Sequence, residues 1–193
     1  MCIRDRLQGV QEVLEELQKA VLDGKLDARG DATRFKGEIA GMVTGLNGVL
    51  DAVIGPLNVT AEYVDRISKG DIPEKITDEY RGDFNEIKNN LNVLIDSLNG
   101  LIAEAGRMAD AAAHGELDTR AEVSRFHGAW AKIVQGLNDT AEGAVVPMRD
   151  IGDVLDRMAA GELKARVVNE YEGDYNVLKE ACNELGEQLQ GVQ

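Results

Sequence analysis

Aromatic residues make up only 4% of this 193-residue chain. That scarcity argues against sandwiches and barrels, whose strands draw on aromatic and β-branched side chains. The 44% hydrophobic content lies mostly in Leu, Val, Ile and Ala, enough for a core and suited to helix bundles. Basic residues are also short: 21 Lys and Arg face 35 Asp and Glu, a formal net charge of −14. Nucleic acid and an anionic membrane surface both require a basic face and are set aside as main partners. No run approaches the roughly 20 consecutive apolar residues of a spanning helix, and the N-terminus lacks the apolar core of a secretory signal. No direct membrane insertion of this segment is therefore expected. The two cysteines, Cys2 and Cys182, lie far apart without metal-type spacing. Neither a disulfide framework nor a metal site is indicated, and a reducing cytoplasm fits.

What the chain does have is repetition. Four glycines head matching segments, Gly24-Lys25-Leu26-Asp27, Gly70-Asp71-Ile72-Pro73, Gly115-Glu116-Leu117-Asp118 and Gly161-Glu162-Leu163-Lys164, at spacings of 46, 45 and 46. Alternate segments resemble each other more closely than neighbours do. Arg34-Phe35-x-Gly37 matches Arg125-Phe126-x-Gly128, and Glu79-Tyr80-Arg81-Gly82-Asp83 matches Glu170-Tyr171-Glu172-Gly173-Asp174. Pro56 and Pro147 are likewise 91 apart. Duplication of a two-repeat unit accounts for this pattern. The expected divisions are repeat 1 at 7–52, repeat 2 at 53–97, repeat 3 at 98–143 and repeat 4 at 144–193. Residues 1–6 stand outside the pattern and read as a non-native segment.

Between the glycine-led segments the apolar residues step by three and four, the heptad of a coiled-coil seam. The first helix offers Leu14 and Leu17. The second offers Val43, Leu46, Leu50, Leu57, Val64 and Ile67, and the third Ile87, Leu91, Leu94, Leu98, Leu101 and Met108. The fourth offers Val134, Leu137, Ile151 and Leu155, and the last Leu178 and Leu185. So narrow a stripe suits packing against other helices better than a broad globular core. Two such helices from one chain cannot enclose it, and a homodimer forming four-helix layers is the expected way to bury it.

The connectors set direction. From Gly70 to Gly82 is 13 residues, which extended could span roughly 40 Å, whereas a 16-residue helix is only about 24 Å long. Such a connector can run back along a whole helix, so that the helices before and after it lie parallel. Leu26, Ile72, Leu117 and Leu163 are expected to pin that return, and Gly24, Gly70, Gly115 and Gly161 suit helix C-termini that need positive φ. Gly37, Glu79, Gly82, Gly128, Glu170 and Gly173 mark the start of the second helices.

A heptad helix, a terminal Gly-acid-Leu, a connector of about a dozen residues, an acidic-x-x-Gly start and a second heptad helix together resemble the HAMP domain, over essentially all of Leu7 to Gln193. Glu79 to Gly82 and Glu170 to Gly173 match the family's Asp-Glu-x-Gly in part, with Tyr80 and Tyr171 in place of its glutamate, and repeats 1 and 3 depart further. The resemblance implies an all-α fold of tandem parallel four-helix coiled-coil layers formed by homodimerisation, with extended connectors between helices. It also implies a relay joining input and output domains of the same parent chain. The repeat texture looks most like arrays in methyl-accepting chemotaxis proteins, with hybrid sensor histidine kinases second. The parent would then be cytoplasmic here and anchored in the inner membrane elsewhere.

The remaining features read as packing. Small seam residues (Thr60, Ala105, Ala141, Ala144) and helical glycines (Gly100, Gly106, Gly143) suggest two arrangements of similar energy. Pro56 and Pro147 should start a helix or mark a kink. His114 and His127 have no converging carboxylates, Cys182 and Trp130 sit on the seam, and Gly41, Gly45 and Gly48 lie in a heptad and not in a phosphate loop. No enzyme activity and no cofactor are expected. The competing class is a passive spacer. A ligand-binding bundle would need polar groups inside the seam.

Overall fold

In the computed structural model, which describes residues 3–191, five α-helices and two short 3-10 turns form and no strand occurs among the described residues. The helices are α1 (Ile3–Leu22), α2 (Glu38–Ser68), α3 (Asp83–Ala113), α4 (Gly128–Ala159) and α5 (Gly173–Gly191). The turns are η1 (Ala32–Arg34) and η2 (Val123–Arg125), and they occur only in the connectors of repeats 1 and 3. Met1 and Cys2 lie outside the described residues, and the backbone of α1 runs through 3–6. The expected divisions at 52/53, 97/98 and 143/144 fall inside α2, α3 and α4, so each of these helices serves two successive repeats.

Helices α1 to α4 end the same way. Gly24, Gly70, Gly115 and Gly161 adopt φ of 77°, 81°, 77° and 96°. The next residue's N–H turns back to a carbonyl five residues earlier: Lys25 to Ala20, Asp71 to Arg66, Glu116 to Ala111 and Glu162 to Arg157, at 2.8–3.0 Å. These are Schellman closures, which satisfy terminal carbonyls and require the left-handed conformation glycine adopts without strain. The connector then reverses direction. Gly9, near the start of α1, lies against Phe35 just ahead of α2. Arg29, shortly after α1 ends, instead bonds Asp51 well into α2 at 2.7 Å. The connector therefore runs back along α1, and α1 and α2 are parallel. Repeat 3 repeats this geometry, with Gly100 against Phe126 and Arg120 bonded to Glu142.

The chain divides into two compact units, one ending at Ile95 and the other beginning at Asp96 within α3. In the first, Val13, Leu17 and Val43 form a buried cluster flanked by Ala28, Phe35, Leu46 and Leu50. In the second, Ala121, Phe126 and Val134 form one cluster, and Val154, Met158, Ala165, Val167 and Cys182 another. The prolines neither start nor end a helix. Pro56 is half-buried inside α2 and Pro147 buried inside α4. By length and composition α2 is the one described helix that could cross a membrane.

Candidate functional site

In a chain of repeated helices and connectors, the candidate working parts are the contacts that hold each connector and the apolar faces left open. One contact recurs in all four repeats. The carboxamide of Asn47 accepts from the Gly30 N–H and donates to its carbonyl, both at 2.8 Å. Asn92 does the same to Ile76 at 2.8 and 3.0 Å, Asn138 to Ala121 at 2.8 and 3.0 Å, and Asn183 to Val167 at 2.8 and 3.1 Å. Gly30, Ile76, Ala121 and Val167 are all buried. Mid-connector peptides lack regular partners, and leaving them unpaired in a core is costly. One asparagine per repeat pairs donor and acceptor together, much as a strand neighbour would.

The clasped residue alternates in size. Gly30 and Ala121 are small, whereas Ile76 and Val167 are large. A Cβ on Gly30 would lie 2.7 Å from Val13 and 2.9 Å from Val43, so the connector of repeat 1 is drawn in as far as packing allows. Three connectors are also stapled by an arginine. Arg29 donates to the carbonyls of Leu26 and Ala28, Arg120 to those of Leu117 and Thr119, and Arg166 to those of Leu163 and Ala165. Their guanidinium groups then reach Asp51, Glu142 and Gln190 on the following helix. Lys75 stands at this place in repeat 2.

The structure spreads the sequence-predicted anchors over a range of burial. Ile72, Leu117 and Leu163 are half-buried, while Leu26 is 36% exposed. Gly37, Gly82, Gly128 and Gly173 open the second helices with φ of 54–63°. Glu79 is exposed, and Glu170 pairs with Lys179 at 3.5 Å. The seam itself divides. Leu17, Val43, Leu91 and Val134 are buried within the chain, and Leu46, Leu50, Ile67, Ile87, Leu94, Leu98, Leu101, Met108, Leu137 and Ile151 are half-buried. Leu14, Leu57, Val64, Leu155, Leu178 and Leu185 remain exposed.

The second unit holds a buried carboxylate and a half-buried one. Glu104, on α3, is 6% exposed and is held by Arg107 at 2.6 Å and Arg125 at 3.3 Å. The Arg107 hydrogen bond keeps its carboxyl below the usual range, against the opposing effect of burial. Asp150 on α4 accepts from the Tyr171 hydroxyl and the Asn169 amide, which lower its pKa, and the shared proton raises that of the phenol. Burial raises the Cys182 thiol. Every buried side-chain nitrogen and oxygen among the described residues has a partner. No cluster of three His, Cys, Asp or Glu positioned for a metal occurs among them. His114 bonds only the Asp110 carbonyl of its own helix, and Trp130 packs beside Phe126 and Val134.

The asparagine clasp and the buried Glu104 were missed by the sequence reading. The former does leave a signal: Leu46-Asn47, Leu91-Asn92, Leu137-Asn138 and Cys182-Asn183 recur at the repeat spacing.

Comparison with known proteins agrees with this architecture. The sequence profile of the HAMP domain matches residues 34–100 and 125–191, more than half of the chain. The two matches begin 91 residues apart. The methyl-accepting chemotaxis protein McpB of Pseudomonas aeruginosa is 28% identical over 86 residues, covering 45% of this chain and 13% of that protein. The chain thus spans a small fraction of the length of this relative.

Proposed function

This chain belongs to the HAMP domain family of signal-transduction linkers, and on that premise we propose that it relays a conformational change along a parallel homodimer from an input to an output module. One observation carries the reading. In a single chain, Leu14, Leu57, Val64, Leu155, Leu178 and Leu185 leave 40–51% of their surface in water, although the first four share heptad stripes with buried Leu17, Val43 and Val134. Exposed apolar residues set in one stripe on successive helices indicate a missing partner. A second copy brought alongside in parallel supplies the same stripe at the same height, which closes four-helix layers.

The two kinds of repeat support a relay over a spacer. Repeats 1 and 3 hold a small clasped residue, a 3-10 turn and a phenylalanine over a helical glycine. Repeats 2 and 4 hold a large clasped residue and a tyrosine. Layers built on unlike connectors favour unlike helix packings, and a shift in one is passed to the next through the helix they share. The output is proposed to be a methyl-accepting chemotaxis module, from the likeness to a protein of that name. A hybrid histidine kinase is the alternative parent.

The segment is proposed to lie in the cytoplasm. Although α2 could cross a membrane by composition, Asn47 and Asp51 midway along it are bonded to the connector, an arrangement for packing in water. Cysteines introduced at Leu94 and Leu98 in the full-length parent test the relay. Crosslinking between partners should change with the stimulus, and patterns that never change would leave a passive spacer. A monomer at micromolar concentration in sedimentation would remove the dimer.

A further inference from the structure

The two units are copies, yet they differ at one place facing the connector. Eleven residues before the terminal glycines stand Val13, Val59, Glu104 and Asp150, so both repeats of the first unit carry valine and both of the second a carboxylate. Val13 is buried in the apolar cluster of repeat 1. Glu104, its counterpart 91 residues on, is equally buried and bonded to Arg125 of its connector. Asp150, the counterpart of Val59, is bonded to Asn169 and Tyr171 of its own connector.

Surrounding charges are exchanged to match. In repeat 1, Arg34 faces Glu12 and Glu16 at 3.7 and 3.8 Å, across exposed side chains. In repeat 3 the place of Glu16 is taken by Arg107, which holds Glu104 at 2.6 Å and also donates to the Arg120 carbonyl in the connector. A loose surface pair has thus become a carboxylate gripped from its own helix and from the connector.

We propose that Glu104 and Asp150 form a polar latch, confined to the second unit, that fixes each connector to the preceding helix in one register. In the first unit Val13 holds the repeat 1 connector there by apolar packing, and Val59 offers no group that could bond the connector of repeat 2. Apolar contacts are non-directional and tolerate sliding, whereas charged hydrogen bonds impose one geometry. Buried ionic groups serve registry more dependably than stability. The second unit is then the half of the array in which a further directional contact, beyond the asparagine clasp, sets connector position on the preceding helix. The inference rests on the family's architecture and not on the relay itself, and it can fail while relay stands.

Hydrogen exchange of the full chain at neutral pH tests it. Glu104→Gln should quicken amide exchange across 116–127 about tenfold, the loss of one charged hydrogen bond, while 25–36 and the amides of α3 and α4 stay protected. Asp150→Asn should do the same across 162–172. Arg125→Gln, at a side chain 60% exposed, removes the connector's half of the pair and should loosen 116–127 while 25–36 stays unchanged. This arm leaves Glu104 paired with Arg107 and decides the matter if Glu104→Gln unfolds. Unchanged exchange in 116–127, or equal loosening of all four connectors, overturns the latch.

Discussion

Replacing Asn138 with alanine tests the clasp where its consequences are easiest to count. The carboxamide gives the Ala121 peptide both of its hydrogen bonds, at 2.8 and 3.0 Å, and Ala121 is only 6% exposed. Truncation leaves one N–H and one carbonyl without partners, each at about 1–3 kcal/mol. Alanine returns roughly 0.5 kcal/mol through its better helix propensity. The half-buried site admits some water, so the net should lie near the low end, at about 2 kcal/mol. Because the lost bonds hold the connector and not the helices, the change should appear as local opening. Exchange across 116–127 should quicken about thirtyfold, by the conversion of free energy to population, while α3 and α4 stay protected. Urea unfolding at fixed protein concentration gives the global cost. The exposed Asn89, which makes none of these contacts, serves as the control. A loss below roughly 0.5 kcal/mol with unchanged connector exchange would refute the clasp as a structural element.

Other consequences follow from the same contacts. Gly115→Ala forces a side chain onto φ of 77°. It should cost about 1–2 kcal/mol and lower Tm by several degrees in calorimetry. Leu57→Ala removes an exposed stripe residue. It should weaken dimerisation in sedimentation about tenfold or more while leaving helix content unchanged. Glu104 and Asp150 have folded pKa values below those of the unfolded chain because Arg107 and Arg125 hold the first and Tyr171 and Asn169 the second. The unfolded state therefore binds more protons, and stability is full above the unfolded values near pH 4. It should fall as pH drops through the lowered folded values, with a flat response above about pH 5 in urea titrations.

Much of the fold was legible because heptads announce themselves. The stripe from Val43 to Ile67 lies within α2 at Glu38–Ser68, and that from Ile87 to Met108 within α3 at Asp83–Ala113. The long connectors implied parallel helices, as the pairs Gly9–Phe35 and Arg29–Asp51 require. Periodicity could not say which seam residues pack inside one chain. Leu14 and Leu17 are equivalent in a heptad, yet one is 47% exposed and the other 6%, because the connector covers only one side of α1. Val13, Ile54, Ile95 and Val145 also escaped notice, although all are buried off the stripe, Val13 against the connector. The asparagines were not singled out. Their recurrence beside leucine marked them, but a hydrogen bond to a connector peptide leaves no periodicity of its own. Pro56 and Pro147 suggested a start or a kink, and the shared helices run through both, which excludes a start.

If the array is a relay, a change in one layer reaches the others. Spin labels at Leu185 in both partners, measured by pulsed electron resonance, report helix separation in repeat 4. A perturbation far away, Gly30→Val, forces the repeat 1 connector off Val13 and Val43. If the array relays, the Leu185 distance distribution should shift or repopulate by about 1–2 Å, the scale of helix displacements in switching proteins. An unchanged distribution at Leu185, with repeat 1 visibly altered in hydrogen exchange, would contradict the relay and leave a spacer.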